Sequence, residues 1–369
     1  MEELLEEKTT KSKIRNYLIV FLSLLLFIFA IDLLTVAMGK LNNDVATEII
    51  QATRNPFISL FVGLLVTALI QSSSTVTASI VAIVASGNMT LQQAVPMVLG
   101  ANIGTTLTST LVSFTFITRK KEFKRALSSG ISHDVFNIFN VIILFPLELY
   151  FNFLSNTAEK LAKLFVSDKE FTGAFEYNRT FTRGTTEWIV EHINIPFVST
   201  LLAIFLVFFS IKVMSTSVYK TFVLDTFEDI SKIIFKNTAV SFIYGIFFTA
   251  AVQSSTVTTC LVVPLVANRK VSLAKSFPFI IGANIGTTIT AVIAAMYKTE
   301  AAIALAFVHV LFNLIGALIF LPFPEVRNIP VKLAEWMGKT SVTHRIFGFA
   351  YILLTFFIIP FLLIYFSRD

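Results

Sequence analysis

Gln71-Ser72-Ser73-Ser74-Thr75-Val76-Thr77 recurs 182 residues later as Gln253-Ser254-Ser255-Thr256-Val257-Thr258-Thr259. Gly100-Ala101-Asn102-Ile103-Gly104-Thr105-Thr106 recurs at the same offset as Gly282-Ala283-Asn284-Ile285-Gly286-Thr287-Thr288. Pairing 67–108 with 249–290 without gaps gives 19 identities in 42 positions, with Pro96 on Pro278. Both copies sit inside apolar sequence. Hydroxyl and amide clusters at membrane depth are costly unless they bind something. A duplicated pair of Gly- and hydroxyl-rich interruptions in hydrophobic segments points to a transporter substrate site.

The rest of the chain agrees with a membrane setting. It is 55% hydrophobic and 14% charged, with 39 Phe, a composition unlike a soluble core. A spanning helix needs roughly 20 apolar residues. Segments 17–39, 90–118, 126–150, 196–213, 272–297, 301–322 and 345–366 qualify. Segments 56–86 and 239–267 are too long for one span and too short for two, and carry Gln-Ser-Ser midway. A hairpin that dips in and returns, with the motif at its tip, fits both. Non-helical backbone at that depth survives only inside protein or against a water-filled cavity. Segments 41–53, 155–167, 218–236 and 331–340 mix charge with apolar residues at helical spacing and read as interfacial helices.

Charge sets the expected orientation. The net charge is +6, and the densest basic run is Arg119-Lys120-Lys121-Glu122-Phe123-Lys124-Arg125. Such a run marks the cytoplasmic side, and nucleic-acid binding is a poor use of a loop pinned between spans. Lys212, Lys220, Lys232, Lys236, Arg269, Lys270 and Lys275 then fall inside as well. The first hairpin opens from outside and the second from inside, so the repeats are inverted. Residues 1–15 lack a signal-peptide pattern and read as a cytoplasmic tail before an uncleaved helix. The domains expected are therefore a tail at 1–16, a first transmembrane repeat at 17–150 and an extracytoplasmic loop at 151–195. A second repeat at 196–322 and a closing interfacial segment with the last helix at 323–369 follow. The single cysteine, Cys260, excludes an intrachain disulfide and a thiolate metal cluster. Asn178-Arg179-Thr180 matches a glycosylation triplet of a kind common by chance.

The motif hairpins and the Gly-Ala-Asn-Ile-Gly segments contain no Arg or Lys. An anion bound there is held by helix N-termini, each with unpaired N–H groups and about half a positive charge, and by rotatable hydroxyls. Gln71, Ser72, Ser73, Ser74 and Thr75 would face Ser254, Ser255 and Thr256 across one small oxyanion. The same oxygen-rich set suits a hard monovalent cation such as sodium. Asn102, Thr105, Thr106, Gln253, Ser254, Asn284, Thr287 and Thr290 are its candidate ligands, with carbonyls freed near the glycines. The alternative use of such residues is small-residue packing and back-bonding to their own helix. That alternative does not explain two copies with matched Gln, Asn and Gly.

His133-Asp134-Val135-Phe136-Asn137 and His309-Val310-Leu311-Phe312-Asn313 place His and Asn on one helix face at i, i+4. Asp134 is a carboxylate within a span, and intramembrane acids are functional by default. Asp134 and Asn137 are added to the sodium candidates, while the histidines read as interhelical hydrogen-bonding groups. Glu148 reads as interfacial. No Ser-His-acid constellation and no Walker-type run is present, so neither an enzyme nor ATP drive is indicated.

These motifs resemble the type II sodium-phosphate cotransporters. In the first repeat the resemblance lies in Gln71–Ser74, Val98–Thr106, Ser132–Asn137 and Phe145-Pro146-Leu147-Glu148. In the second it lies in Gln253–Ser255, Ile285–Thr288, His309–Asn313 and Leu321-Pro322-Phe323-Pro324. It covers roughly 56–150 and 238–324. The resemblance implies inward, sodium-driven uptake of inorganic phosphate, with phosphate between the two tips near Ser72–Ser74, Ser254 and Ser255. Gln253, Ser254, Thr287 and Thr290 match the family's sodium ligands. Asp134 matches the acid of electrogenic members, replaced by Gly in electroneutral ones, and Asn137 matches a residue of a further sodium site. Phe116, Arg119 and Ala283 depart from the animal pattern, and the disulfide-bearing outer loop is missing.

The reading is therefore an all-α polytopic membrane protein with two inverted repeats, each holding a re-entrant helical hairpin and a broken transmembrane helix. The function the resemblance implies is sodium-coupled phosphate symport, expected to run by alternating access at the plasma membrane. Sodium is a co-substrate and no cofactor is expected. The partners are phosphate, sodium and the lipid bilayer, with a homodimer a possible assembly. The alternatives are the same fold carrying sulfate or a carboxylate, an ion channel, or a membrane enzyme acting on a phosphorylated lipid.

Overall fold

Both motif hairpins turn on a Gln-Ser pair. In the computed structural model Gln71 is left-handed (φ 57°) and its N–H bonds Thr67 O at 2.7 Å. Ser72 is then extended, and its hydroxyl accepts the Thr75 N–H at 3.3 Å. Gln253 (φ 58°) bonds Thr249 O at 2.7 Å, and Ser254 accepts the Val257 N–H at 3.3 Å. In each copy Gln closes one helix and Ser opens the next, which reverses the chain in two residues. The helices so joined have 15 and 13 residues. At 1.5 Å per residue they are about 20 Å long, short of the ~30 Å hydrocarbon core.

The structure describes residues 2–41, 47–48, 51, 53–166, 182–223, 227–296 and 298–366. In chain order the helices are α1 (Glu2–Gly39), α2 (Pro56–Ile70), α3 (Ser73–Ala85), α4 (Leu91–Gly104), α5 (Leu107–Ser113), α6 (Lys120–Phe151), α7 (Phe153–Val166), α8 (Arg183–Ile193) and α9 (Pro196–Val218). They continue as α10 (Phe227–Ile234), α11 (Thr238–Val252), α12 (Ser255–Ala267), α13 (Leu273–Ala295), α14 (Glu300–Phe320), α15 (Pro324–Thr343), α16 (Arg345–Leu353) and α17 (Ile359–Phe366). No strand occurs among the described residues. Among the described residues, seven helical stretches are long and apolar enough to cross a membrane, and they coincide with the seven segments expected.

Glycine lets each hairpin lie directly on the helix that follows it. A methyl on Gly100 would overlap Leu60 O, and one on Gly282 would overlap Phe242 O. The contact thus repeats at the 182-residue offset, with α2 against α4 and α11 against α13. The two copies are joined through α6, where Phe136 meets Phe277 of α13 and Phe320 of α14 edge-on at 6.1 and 5.6 Å. Such aromatic pairs contribute about 0.5–1.5 kcal/mol beyond their burial.

Several expectations change. The helix after the first hairpin breaks at Thr105–Thr106, but its counterpart α13 runs unbroken from Leu273 to Ala295. The same hydroxyl back-bonds occur in both, from Thr105 to Ala101 O and from Thr287 to Ala283 O. The difference follows the next turn, where Thr110 bonds Asp134 across to α6. The second copy has Val292 and Val310 at these places and lacks that bond. Glu148 is buried rather than interfacial, and accepts the N–H groups of Leu154 and Ser155 and the Ser155 hydroxyl at the start of α7. The stretch expected as a tail is helical, residues 2–16 being continuous with the rest of α1, which leaves its side of the membrane open. The Asn178 triplet and most of the 41–53 segment lie outside the described residues.

Candidate functional site

The two tips meet. The Ser74 hydroxyl, one residue into α3, donates to the Gln253 carbonyl oxygen at 3.2 Å. Thr290 of α13 donates to Gln253 Oε1 at 2.7 Å and lies 3.5 Å from Ser74 Oγ, while Gln253 Nε2 bonds Ala250 O at 2.6 Å. Ser73, Ser74, Thr75, Gln253 and Ser255 are buried, and Ser72, Ser254 and Thr256 are partly so. Ser72 Oγ and Thr75 Oγ1 lie 2.8 Å apart. The first N–H groups of a helix have no partner within it, so the N-termini of α3 and α12 bring donors and partial positive charge to the junction of the tips.

The junction is not symmetric. Gln253 is buried and held by Thr290, but Gln71 is exposed, and Thr108, the counterpart of Thr290, has a buried hydroxyl without a hydrogen-bond partner. One tip is closed against its own helix and the other is not.

A second cluster crosses between the copies. His133 Nε2 contacts Asn284 Oδ1 at 2.6 Å, and Asn284 Nδ2 donates to Asn137 Oδ1 at 2.8 Å. Asn137 Nδ2 donates to the Asn102 carbonyl at 2.9 Å. Reciprocally, Asn102 Oδ1 faces His309 Nε2 at 3.3 Å and accepts Asn313 Nδ2 at 3.2 Å. Each His-x-x-x-Asn face thus grips the Gly-Ala-Asn turn of the other copy. With an amide oxygen opposite, Nε2 is the donor of each histidine in this arrangement.

Asp134 forms a third group. It is fully buried; Oδ2 accepts from Thr110 at 3.0 Å and from the Tyr351 hydroxyl at 2.9 Å, and Oδ1 has no hydrogen-bond partner. A buried carboxylate oxygen without a donor is a place for a cation or a proton.

The candidate residues therefore divide. Gln253, Ser254 and Thr290 gather at the tips with Ser74. Thr287, one turn earlier on α13, bonds back to Ala283 O. Asn102, Asn137 and Asn284 lie in the crossed network, while Asp134 stands with Thr110 and Tyr351 beside Thr106 of the helix break. Tyr351 was not legible beforehand, because α16 carries no motif. Asp32 was also missed. It is a second buried carboxylate, 2.9 Å from Lys298 Nζ and 3.9 Å from Arg183, and it accepts from Thr182 and Thr186. Burial pushes the Lys298 ammonium below its ordinary pKa, with Asp32 pulling the other way. Asp32 sits in a strongly apolar run, and its partners come from the start of α8 and the α13–α14 connection, so only an isolated acid in a span signalled it.

The chain is 26% identical over 460 aligned positions to the sodium-dependent phosphate transport protein 2B of Homo sapiens, covering 96% of this chain and 66% of that protein. It is 28% identical over 416 positions to the sodium-dependent phosphate transport protein 2A of Rattus norvegicus, covering 91% of this chain and 65% of that protein. The chain thus spans slightly less than two thirds of these curated relatives. No solved structure matches it. A profile described as Na+/Pi-cotransporter matches residues 26–164 and 206–329, well over half of the chain. Those blocks contain both hairpins, the crossed network and Asp134, and on that match the chain belongs to the Na+/Pi-cotransporter family.

Proposed function

We propose that this protein is a secondary active transporter that couples inward sodium movement to uptake of inorganic phosphate. The observation that carries the reading is the meeting of two cation-free Gln-Ser-Ser tips, each at a helix N-terminus, through Ser74, Gln253 and Thr290. Phosphate binds between the tips, on Ser72–Ser74 and Thr75 from one side and Ser254–Thr256 from the other, with Gln71 at the rim. Sodium takes the oxygens of Gln253, Ser254, Thr287 and Thr290, and Asn102, Thr105, Thr106, Asn137 and Asn284 contribute to further coordination. Asp134, with its free Oδ1, balances an additional cation.

The unequal tips support alternating access. If the two copies are inverted in the membrane, the state opposite to this one closes Gln71 on Thr108 and releases Gln253 from Thr290. Inverted repeats of this kind rock around a fixed midplane site. The basic turn at 119–125 supports reading that side as cytoplasmic, with the start of α1 on the same side of the plasma membrane, and a homodimer is compatible with the apolar outer surface. Sodium and phosphate each lower the electrostatic cost of the other in a low-dielectric site.

The test is isotope uptake of phosphate into proteoliposomes with and without a sodium gradient. Uptake should require inward sodium and resist competition by sulfate. Ser73→Ala or Ser255→Ala should weaken it about ten- to a hundredfold, the effect of losing a buried hydrogen bond to a charged ligand. Gradient-independent flux would assign a channel instead.

A further inference from the structure

A cavity of about 560 Å3 opens between the start of α6, the α12–α13 turn and α15. Lys121, Lys124, Arg125 and Arg269 line it, against one carboxylate, Glu335. None of the four cations is ion-paired to a described residue. The walls are fixed independently of any occupant. Arg125 Nε donates to Ala267 O at the end of α12 at 2.7 Å, and Gly338 of α15 packs so closely on α6 that a methyl there would overlap Ser128 Oγ and crowd Lys124 O. The N-terminus of α13 also faces the cavity, through Ser272 and Leu273. In the first copy the equivalent cap, Thr90, is closed by a reciprocal bond with Gln93. In the second copy Lys275 replaces that Gln, and the Ser272 hydroxyl makes no cap bond.

The cavity therefore offers clustered cations, an open hydroxyl and unpaired helix N–H groups to a small oxyanion. Its depth in the bilayer follows from α15. That helix buries Val331, Ala334, Met337 and Ser341 against the protein and exposes Trp336 beside Glu335. An exposed Trp on an amphipathic helix belongs at the headgroup level. Basic pockets between helices on the cytoplasmic side hold anionic headgroups.

We propose that this cavity binds the phosphate of an anionic phospholipid headgroup. The ligand bridges α6 to the end of the second hairpin and so restrains the hairpin whose other end carries Ser254 and Ser255. That consequence rests on the transporter reading; the binding does not. Free inorganic phosphate has the same chemistry and is the competing source.

The test is native mass spectrometry of the full chain titrated with cardiolipin, with phosphatidylcholine as control. Lys121→Gln/Lys124→Gln/Arg269→Gln keeps Arg125, which holds α12. At about fivefold per cation, the triple variant should bind cardiolipin roughly a hundredfold more weakly. Glu335→Gln should bind it about fivefold more tightly. Added inorganic phosphate should not displace it. Unchanged cardiolipin affinity in both variants would overturn the site. Displacement by inorganic phosphate, with phosphate binding lost in the triple variant, would overturn the lipid assignment. Sodium-driven uptake in phosphatidylcholine vesicles is read separately, so its absence would sink the transporter reading and leave the lipid result standing.

Discussion

Replacing Thr290 with Val tests whether the tip contact is a gate element rather than incidental packing. Val keeps the shape of Thr and removes the hydroxyl that donates to Gln253 Oε1 at 2.7 Å. Gln253 is only 7% exposed, so solvent does not replace the lost donor. Leaving a buried acceptor unsatisfied costs about 1–3 kcal/mol, a factor of roughly 5 to 150 in the equilibrium between the closed tip and its alternatives. The first-copy substitution, Thr108→Val, is the internal control. Its hydroxyl is buried and unpartnered, so its removal should leave this state unchanged or slightly stabilised. Backbone hydrogen exchange reports the difference, because Val257 N–H and Thr258 N–H are bonded to Ser254 directly at the tip. Exchange across 254–258 should accelerate by that factor in Thr290→Val and stay at the parent rate in Thr108→Val. Equal exchange in both variants would refute the asymmetry argument.

Other perturbations reach separate parts of the molecule. Asp134→Gly should leave phosphate transport measurable but less sensitive to voltage, since each net charge moved is worth about 2.3 kcal/mol per 100 mV; uptake at opposite valinomycin-clamped potentials decides this, and parent rates equal at both would reject it. Asp32→Asn removes the charge facing Lys298, whose side chain is 3% exposed, and should cost about 3–5 kcal/mol, visible as a lower unfolding temperature that Lys298→Met partly restores in the double variant. Gly282→Ala places a methyl on Phe242 O and should separate α11 from α13, costing about 1–3 kcal/mol as an overpacking change; a variant as stable as the parent would show that this contact is not tight.

The sequence by itself determined what depends on local and repeated chemistry. Seven apolar runs set the spans, because crossing the hydrocarbon core takes about 20 apolar residues whose backbone groups are satisfied internally. The chain reversal at each tip was legible from the Gln-Ser-Ser motif midway in a run too long for one span and too short for two, whereas the left-handed Gln and the Ser cap that make the turn appear only in the structure. The repeat itself was visible because its glycines, amides and hydroxyls return at one offset. What only the tertiary structure decided is which of these polar groups meet. The crossed grip of His133 on Asn284 and of His309 on Asn102 joins residues 151 and 207 positions apart, and nothing in either segment names its partner. The same holds for Tyr351 on Asp134 and for Lys298 on Asp32, which lie 217 and 266 positions apart. Matched motifs also need not fold identically: α13 is continuous where the first copy breaks, and Gln253 is buried where Gln71 is exposed. A repeat encodes the same local preferences twice, but each copy packs against a different neighbour, and the hydrogen bonds available there select the state it takes.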